Sequence, residues 1–233
     1  LVFTALVVLS QVAVAAPPAA QEVDGLPLVA IAKGMYTPQY PPARGIKRME
    51  VAAFRLMTRP VTNAEFLEFV QSHESYRRDR ISRLFADTHY LDHWAGPSEL
   101  GEGARAQQPV TRVSWFAAKA FCEAHGLRLP SEAEWEMVAA ASKKRRDGTA
   151  DALFRKQVMA WYSKPNSELP DVPHGEANYY GVTDLHGVIW EWVADFNNAV
   201  VIADSREQGD ETRNRFCGGA ALDAADALDY ATF

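Results

Sequence analysis

Asp184 and Glu191 stand seven residues apart in the stretch "DLHGVIWEWVAD", set around a glycine and two tryptophans. Seven residues make two turns of an α-helix, so one helical face could carry both acids. Gly187, Val188 and Ile189 are poor helix formers, however, and Val-Ile-Trp reads as a strand. Carboxylates set among tryptophans lose hydration that some partner must replace. A bound cation is one such partner. Exposure at the surface, or pairing with arginine, is the alternative.

Other residues could carry chemistry. His89 and His93 in "THYLDHW" are four apart, a spacing that on a helix could let them share iron or zinc, but no third ligand stands nearby. The chain has two cysteines. Cys122, in "SWFAAKAFCEAHG", follows Trp115 by seven and Ala118 by four, which suits a buried thiol as well as a bridge to Cys217. Cys217, in "FCGGAAL", is a weak candidate nucleophile; a packed or disulfide-bonded cysteine is the plainer reading.

These residues need a scaffold, and the chain can build one. Its 233 residues, 48% hydrophobic and 11% aromatic, suffice for one sizeable core or at most two small ones. With 30 acids against 24 Lys and Arg, the net charge of −6 offers no basic footprint for nucleic acid. The one basic run, Lys143-Lys144-Arg145-Arg146, reads as solvated charge at a helix C-terminus. The opening stretch is apolar to about Val14 and ends in Ala13-Val14-Ala15 before Pro17-Pro18. That pattern is expected of a signal peptide over residues 1–16, truncated at its start, with an uncleaved membrane anchor as the alternative. Either way the expected location is outside the cytoplasm, periplasmic or extracellular.

Short apolar runs broken by Gly and Pro across residues 21–62 read as strands and turns. Three helix starts follow. Thr62 with Glu65 and Ser131 with Glu134 are placed as capping boxes, and Ser114 opens a helix that Gly126 closes. Residues 147–177 read as loop-rich, and no period of 20–50 residues recurs. The expected fold is an irregular α+β domain over residues 22–233.

Four segments together resemble one family. "RPVTNAEFLEFV", "QPVTRVSWFAAKAFCEAHGLRLPSEAEWEMVAAA", "NYYGVTDLHGVIWEWVAD" and "CGG" occur in the order seen in the formylglycine-generating enzyme, or sulfatase-modifying factor, superfamily. The resemblance runs from about residue 28 onward. It implies a C-type-lectin-like fold of low regular secondary structure, with a usual C-terminal continuation past "DYATF". It also implies a structural Ca²⁺ held by side-chain oxygens of Asp184 and Glu191 and main-chain carbonyls of Gly187 and Ile189. Several hard oxygen donors, some of them carbonyls offered at a glycine turn, suit that ion.

Family members that make formylglycine hold copper on two cysteines beyond the Gly-Gly and oxidise a substrate cysteine with O₂. Counted from Gly218-Gly219, those thiols would fall near Asp223 and Leu228, and no cysteine occurs between 218 and 233. Carboxylate with alkyl cannot replace thiolates for a soft Cu(I) ion, which argues against the ordinary reaction. Any redox metal stays unassigned. The chain looks more like exported relatives associated with pyoverdine maturation or nitrite-reductase gene clusters. The expected function is an exported maturation or tailoring factor, oxidoreductase-like, acting on a peptide or protein. The alternative is a non-catalytic binding or scaffold module with a lectin-like surface.

Overall fold

The computed structural model describes residues 19–38, 47–162 and 168–195. The stretch expected to be a signal peptide, Cys217, Asp223 and Leu228 all lie outside the described residues. Five short strands come first: β1 (Gln21–Val23), β2 (Leu26–Ile31), β3 (Gly34–Tyr36), β4 (Met49–Val51) and β5 (Phe54–Met57). Then come α1 (Asn63–Ser72), a 3₁₀ turn (Glu74–Tyr76), α2 (Trp115–Ala124), α3 (Glu132–Ala139) and α4 (Ala152–Tyr162). Small sheets, short helices and long irregular connections make this an α+β fold. Among the described residues no helix is long and apolar enough to cross a membrane.

β2 organises the interior. It pairs antiparallel with β1 on one side and β5 on the other, while β3 and β4 form a separate two-stranded sheet. Asp24 and Gly25 join β1 to β2 with φ of 52° and 77°, the left-handed pair that a two-residue hairpin turn demands. Side chains alternate along a strand, and β2 buries both faces. Leu26 and Leu28 enter a core with Phe66, Phe69 and Val70 of α1 and Phe121 of α2. Val29 and Ile31 face a second core with Met137 and Val138 of α3, Tyr36 and Val51. The chain therefore builds two modest cores back to back across one strand.

The three expected helices form with the expected caps. Ser114 accepts from the Ala117 N–H, and Gly126 takes φ 66° after α2. α4 was not expected, since residues 147–177 read as loop-rich. It starts where Asp151 Oδ1 accepts the Leu153 and Phe154 N–H groups, at 2.9 and 3.4 Å, and it buries Val158 beside Ala140. Neither does Val188-Ile189-Trp190 form a strand: residues 184–193 carry no helix or strand at all. Asp184 and Gly187 take φ of 62° and 81°, which no strand admits. The basic run is not only solvated charge, because Lys143 pairs with Glu176 and Arg146 lies over the Tyr179 ring.

The two capping boxes share a further feature. Each has an arginine three residues before the cap, and each arginine clamps the box glutamate with two nitrogens. Arg59 Nη1 and Nη2 reach Glu65 at 3.0 and 2.6 Å, while Arg128 reaches Glu134 at 2.7 and 2.6 Å. Both arginines also donate to the carbonyl of the next residue at 3.0 Å, and both glutamates accept the cap N–H at 2.8 Å. Burial raises the Glu65 pKa, but the bonds from Arg59 and Thr62 outweigh it and hold the carboxyl below its usual range. Arg128 lowers that of Glu134 in the same way.

The clamps make stability depend on pH and on each arginine. Both glutamates have depressed folded pKa values, so their contribution is complete above the ordinary carboxylate range and fades as pH falls through the folded values. The Arg59–Glu65 side chains are 17% and 19% exposed, whereas Arg128 is 64% exposed. Arg59→Met should therefore lose about 2–3 kcal/mol at pH 7, by leaving a half-buried carboxylate unpaired. Arg128→Met should lose about 1 kcal/mol or less. Urea unfolding of both variants at pH 7 and pH 3 checks the order and its decline in acid.

Candidate metal site and adjoining cavity

The strip 184–195 has no ladder of its own and is pinned by side-chain hydrogen bonds to other segments. Three indoles hold it. Trp135 Nε1 donates to Glu191 Oε2 at 2.6 Å, Trp192 Nε1 to Val113 O at 3.0 Å, and Trp115 Nε1 to Val193 O at 2.9 Å. Just before the strip, the Thr183 N–H donates to Thr58 O at 2.8 Å; at its end Asp195 Oδ1 accepts the Glu132 N–H at 2.8 Å. His186 Nε2 lies 2.9 Å from Ala139 O, so that nitrogen carries the proton. Burial lowers the His186 pKa.

The structure brings the two predicted acids into one electrostatic neighbourhood. Asp184 accepts the His174 and Gly175 N–H groups, one on each oxygen, at 2.8 Å. Those bonds fix the carboxylate and still leave lone pairs for a ligand. Glu191 accepts only the Trp135 N–H among the described residues, on Oε2. Desolvation is the main force on Glu191; with the adjacent Asp184 charge it pushes the carboxyl up to about 7, against the pull of the Trp135 N–H. Among the described residues, neither Asp184 nor Glu191 forms an ion pair with Arg or Lys.

Two neighbouring carboxylates without a basic partner are a donor set that fits a hard cation. Among the described residues no three His, Cys, Asp or Glu side chains converge as a metal site. A hard cation bound here would need further oxygen donors such as carbonyls, the role the resemblance gives Gly187 and Ile189. Gly187 is fitted to a tight turn in two ways. Its φ of 81° strains any other residue, and a Cβ there would lie 2.6 Å from the Trp161 Cβ of α4. Trp161 also stacks on His186, with ring centroids 6.2 Å apart.

A cavity of about 600 Å³ adjoins this strip. Ile189, Trp190, Glu191 and Trp192 form one wall; Arg59, Arg128 and Trp135 from the clamped caps reach it from the others. Cys122 lines it as well, unbridged among the described residues, and burial pushes its thiol up to about 11. A thiol so raised stays protonated at neutral pH and is a poor nucleophile. His89 and His93 lie in turns, not on a helix. His89 is exposed and faces Asp92, which also binds Arg112, and His93 Nδ1 is enclosed without a hydrogen-bond partner.

Sequence reasoning missed Trp135 and Trp161, the two side chains that seat the strip. Asp151 followed by "ALFRKQVMAW" was a readable N-cap signal for the helix carrying Trp161. No sequence signal joins Trp135 to Glu191, because they stand 56 residues apart.

Comparison with known proteins gives this arrangement a family. The model of the sulfatase-modifying factor enzyme 1-like domain matches residues 14–232, so the chain belongs to that family. Among its relatives is the bovine (Bos taurus) protein named inactive C-alpha-formylglycine-generating enzyme 2. It is 29% identical over 187 residues, which cover 64% of this chain and 62% of the bovine one. Hercynine oxygenase of Mycobacterium tuberculosis is 28% identical over 162 residues, 62% of this chain and 38% of the relative. The serine/threonine-protein kinase Pkn1 of Chlamydia trachomatis is 25% identical over 151 residues, 65% and 24% of the two chains. The alignments thus span under two thirds of each relative.

Gly187→Ala probes the turn directly. The positive φ costs about 1 kcal/mol for alanine, and the contact with Trp161 adds to it. The variant should unfold at lower urea than wild type by more than that figure, in the absence of any metal. An unchanged midpoint would mean that the loop does not need its left-handed glycine.

Proposed function

We propose that Asp184, Glu191 and the carbonyls of Gly187 and Ile189 hold a structural Ca²⁺, and that the protein is an exported maturation or tailoring factor. The calcium reading is carried by one observation: backbone and indole N–H groups orient Asp184 and Glu191, and neither acid has a basic partner among the described residues. When bound, calcium supplies the positive charge that this pair lacks. The chain's own part is to orient the donors. His174 and Gly175 fix Asp184, Trp135 fixes Glu191, and Gly187 turns the backbone so that carbonyls can face inward.

In this reading the fold is C-type-lectin-like, and the partner is a peptide or protein. The activity is oxidoreductase-like and does not use a copper–dicysteine centre. Support comes from the family, whose hercynine oxygenase member is named for an oxidation, and from Asp223 and Leu228 at the positions expected for the thiols. The second reading, a non-catalytic binding or scaffold module, is favoured by the relative named as inactive and by Trp190, 73% exposed at the cavity. Bound copper or iron with O₂ consumption separates the first reading from the second.

Two outcomes are expected. Added calcium at a hundredfold excess over Kd should stabilise the protein against an EDTA control by about 3 kcal/mol, and Asp184→Ala should abolish the difference. Identical melting curves in wild type would remove the site. Incubation with copper, O₂ and a cysteine-containing sulfatase-type peptide should leave the peptide's thiol sulfur in place by mass spectrometry. Loss of that sulfur, abolished by Cys217→Ala, would overturn the reading and make Cys217 catalytic.

A further inference from the structure

We infer that Trp135 is a positioning residue for the cation site: its indole N–H ties one oxygen of Glu191 and so presents the other to a hard divalent cation. This inference rests on the calcium reading above. A glutamate has three rotatable bonds, and a ligand free to rotate loses entropy when it is fixed on a metal. Trp135 removes that freedom beforehand. Its Nε1 lies 2.6 Å from Glu191 Oε2, a short charge-assisted bond, while Oε1 accepts none from the described residues.

Trp135 can do this because its own position is over-determined. It sits in the first turn of α3, directly after Glu134, whose carboxylate Arg128 and Ser131 hold. Its ring packs edge-on against His186, centroids 5.8 Å apart at 79°. His186 in turn reaches the Ala139 carbonyl at the last residue of the same helix. α3 therefore grips the loop at two points, His186 and Glu191, that bracket the carbonyls of Gly187 and Ile189. The helix contributes no ligand, yet it holds both ends of the segment that carries Gly187, Ile189 and Glu191. Partners of this kind, one bond removed from the ion, change metal affinity by about ten- to a hundredfold when removed.

The test is calcium titration by calorimetry on the full chain, with wild type beside Trp135→Phe. Phenylalanine keeps an aromatic ring and lacks the N–H. Calcium affinity should fall at least tenfold; the lost bond also lowers the melting point in EDTA, so both proteins are titrated at a temperature where each is folded. If the smaller ring lowers the EDTA melting point as well, β-(3-benzothienyl)alanine at position 135 keeps the two-ring shape and still removes the donor. It should show the same loss of affinity. Wild-type affinity in a folded variant without the donor would overturn the inference and leave the calcium site standing. A wild-type protein that binds no calcium would instead overturn both.

Discussion

Two carboxylates in one irregular strip, Asp184 and Glu191, each held by N–H donors and with no basic partner among the described residues, are the constraint around which this end of the fold is arranged. A carboxylate taken out of water resists desolvation, so Glu191 depends on partners from other segments. The structure answers with external supports. Trp115 and Trp135 donate N–H groups to the strip, the strip's own Trp192 donates to the Val113 carbonyl, Thr58 anchors its start, and the Glu132 N–H caps its end.

The supports are themselves supported. α3 carries Trp135 and begins at a capping box closed by Arg128, while α1 begins at the same construction closed by Arg59. Both clamps reach the cavity that the strip also lines. Charge is thus spent in two different ways on neighbouring walls. At the caps, arginine and glutamate neutralise each other and serve the helices. At the strip the acids have no such partner among the described residues, and the proposed cation would take that role.

Much of the scaffold could be read from the chain because local chemistry decided it. Thr62, Ser114 and Ser131 cap helices wherever they precede a suitable apolar period, and Gly126 ends one through its freedom at positive φ. The strip was harder. Val188-Ile189-Trp190 has strand propensity, but the left-handed Asp184 and Gly187 break the extended path, and tertiary contacts outvote the propensity. Asp184 is the telling case, since a non-glycine residue at φ 62° is stabilised by its own side-chain bonds to His174 and Gly175. The ligand set came from family resemblance, not from periodicity. The seat of that set, Trp135 beneath Glu191 and Trp161 over Gly187, depends on contacts between distant segments that no local pattern encodes.

The catalytic question and the structural question separate cleanly in this chain. Family membership and the acids at 184 and 191 bear on the frame; Cys217, Asp223 and Leu228 bear on the reaction, and they stand in a different part of the sequence. A frame that needs calcium would hold for an enzyme and for a binding module alike. The most direct test of that frame is the metal content of the protein purified without chelator in calcium-containing buffer and then freed of loosely bound ions. The account predicts one calcium per chain by elemental mass spectrometry, lost on Asp184→Ala. Metal-free wild-type protein with full native stability would contradict it.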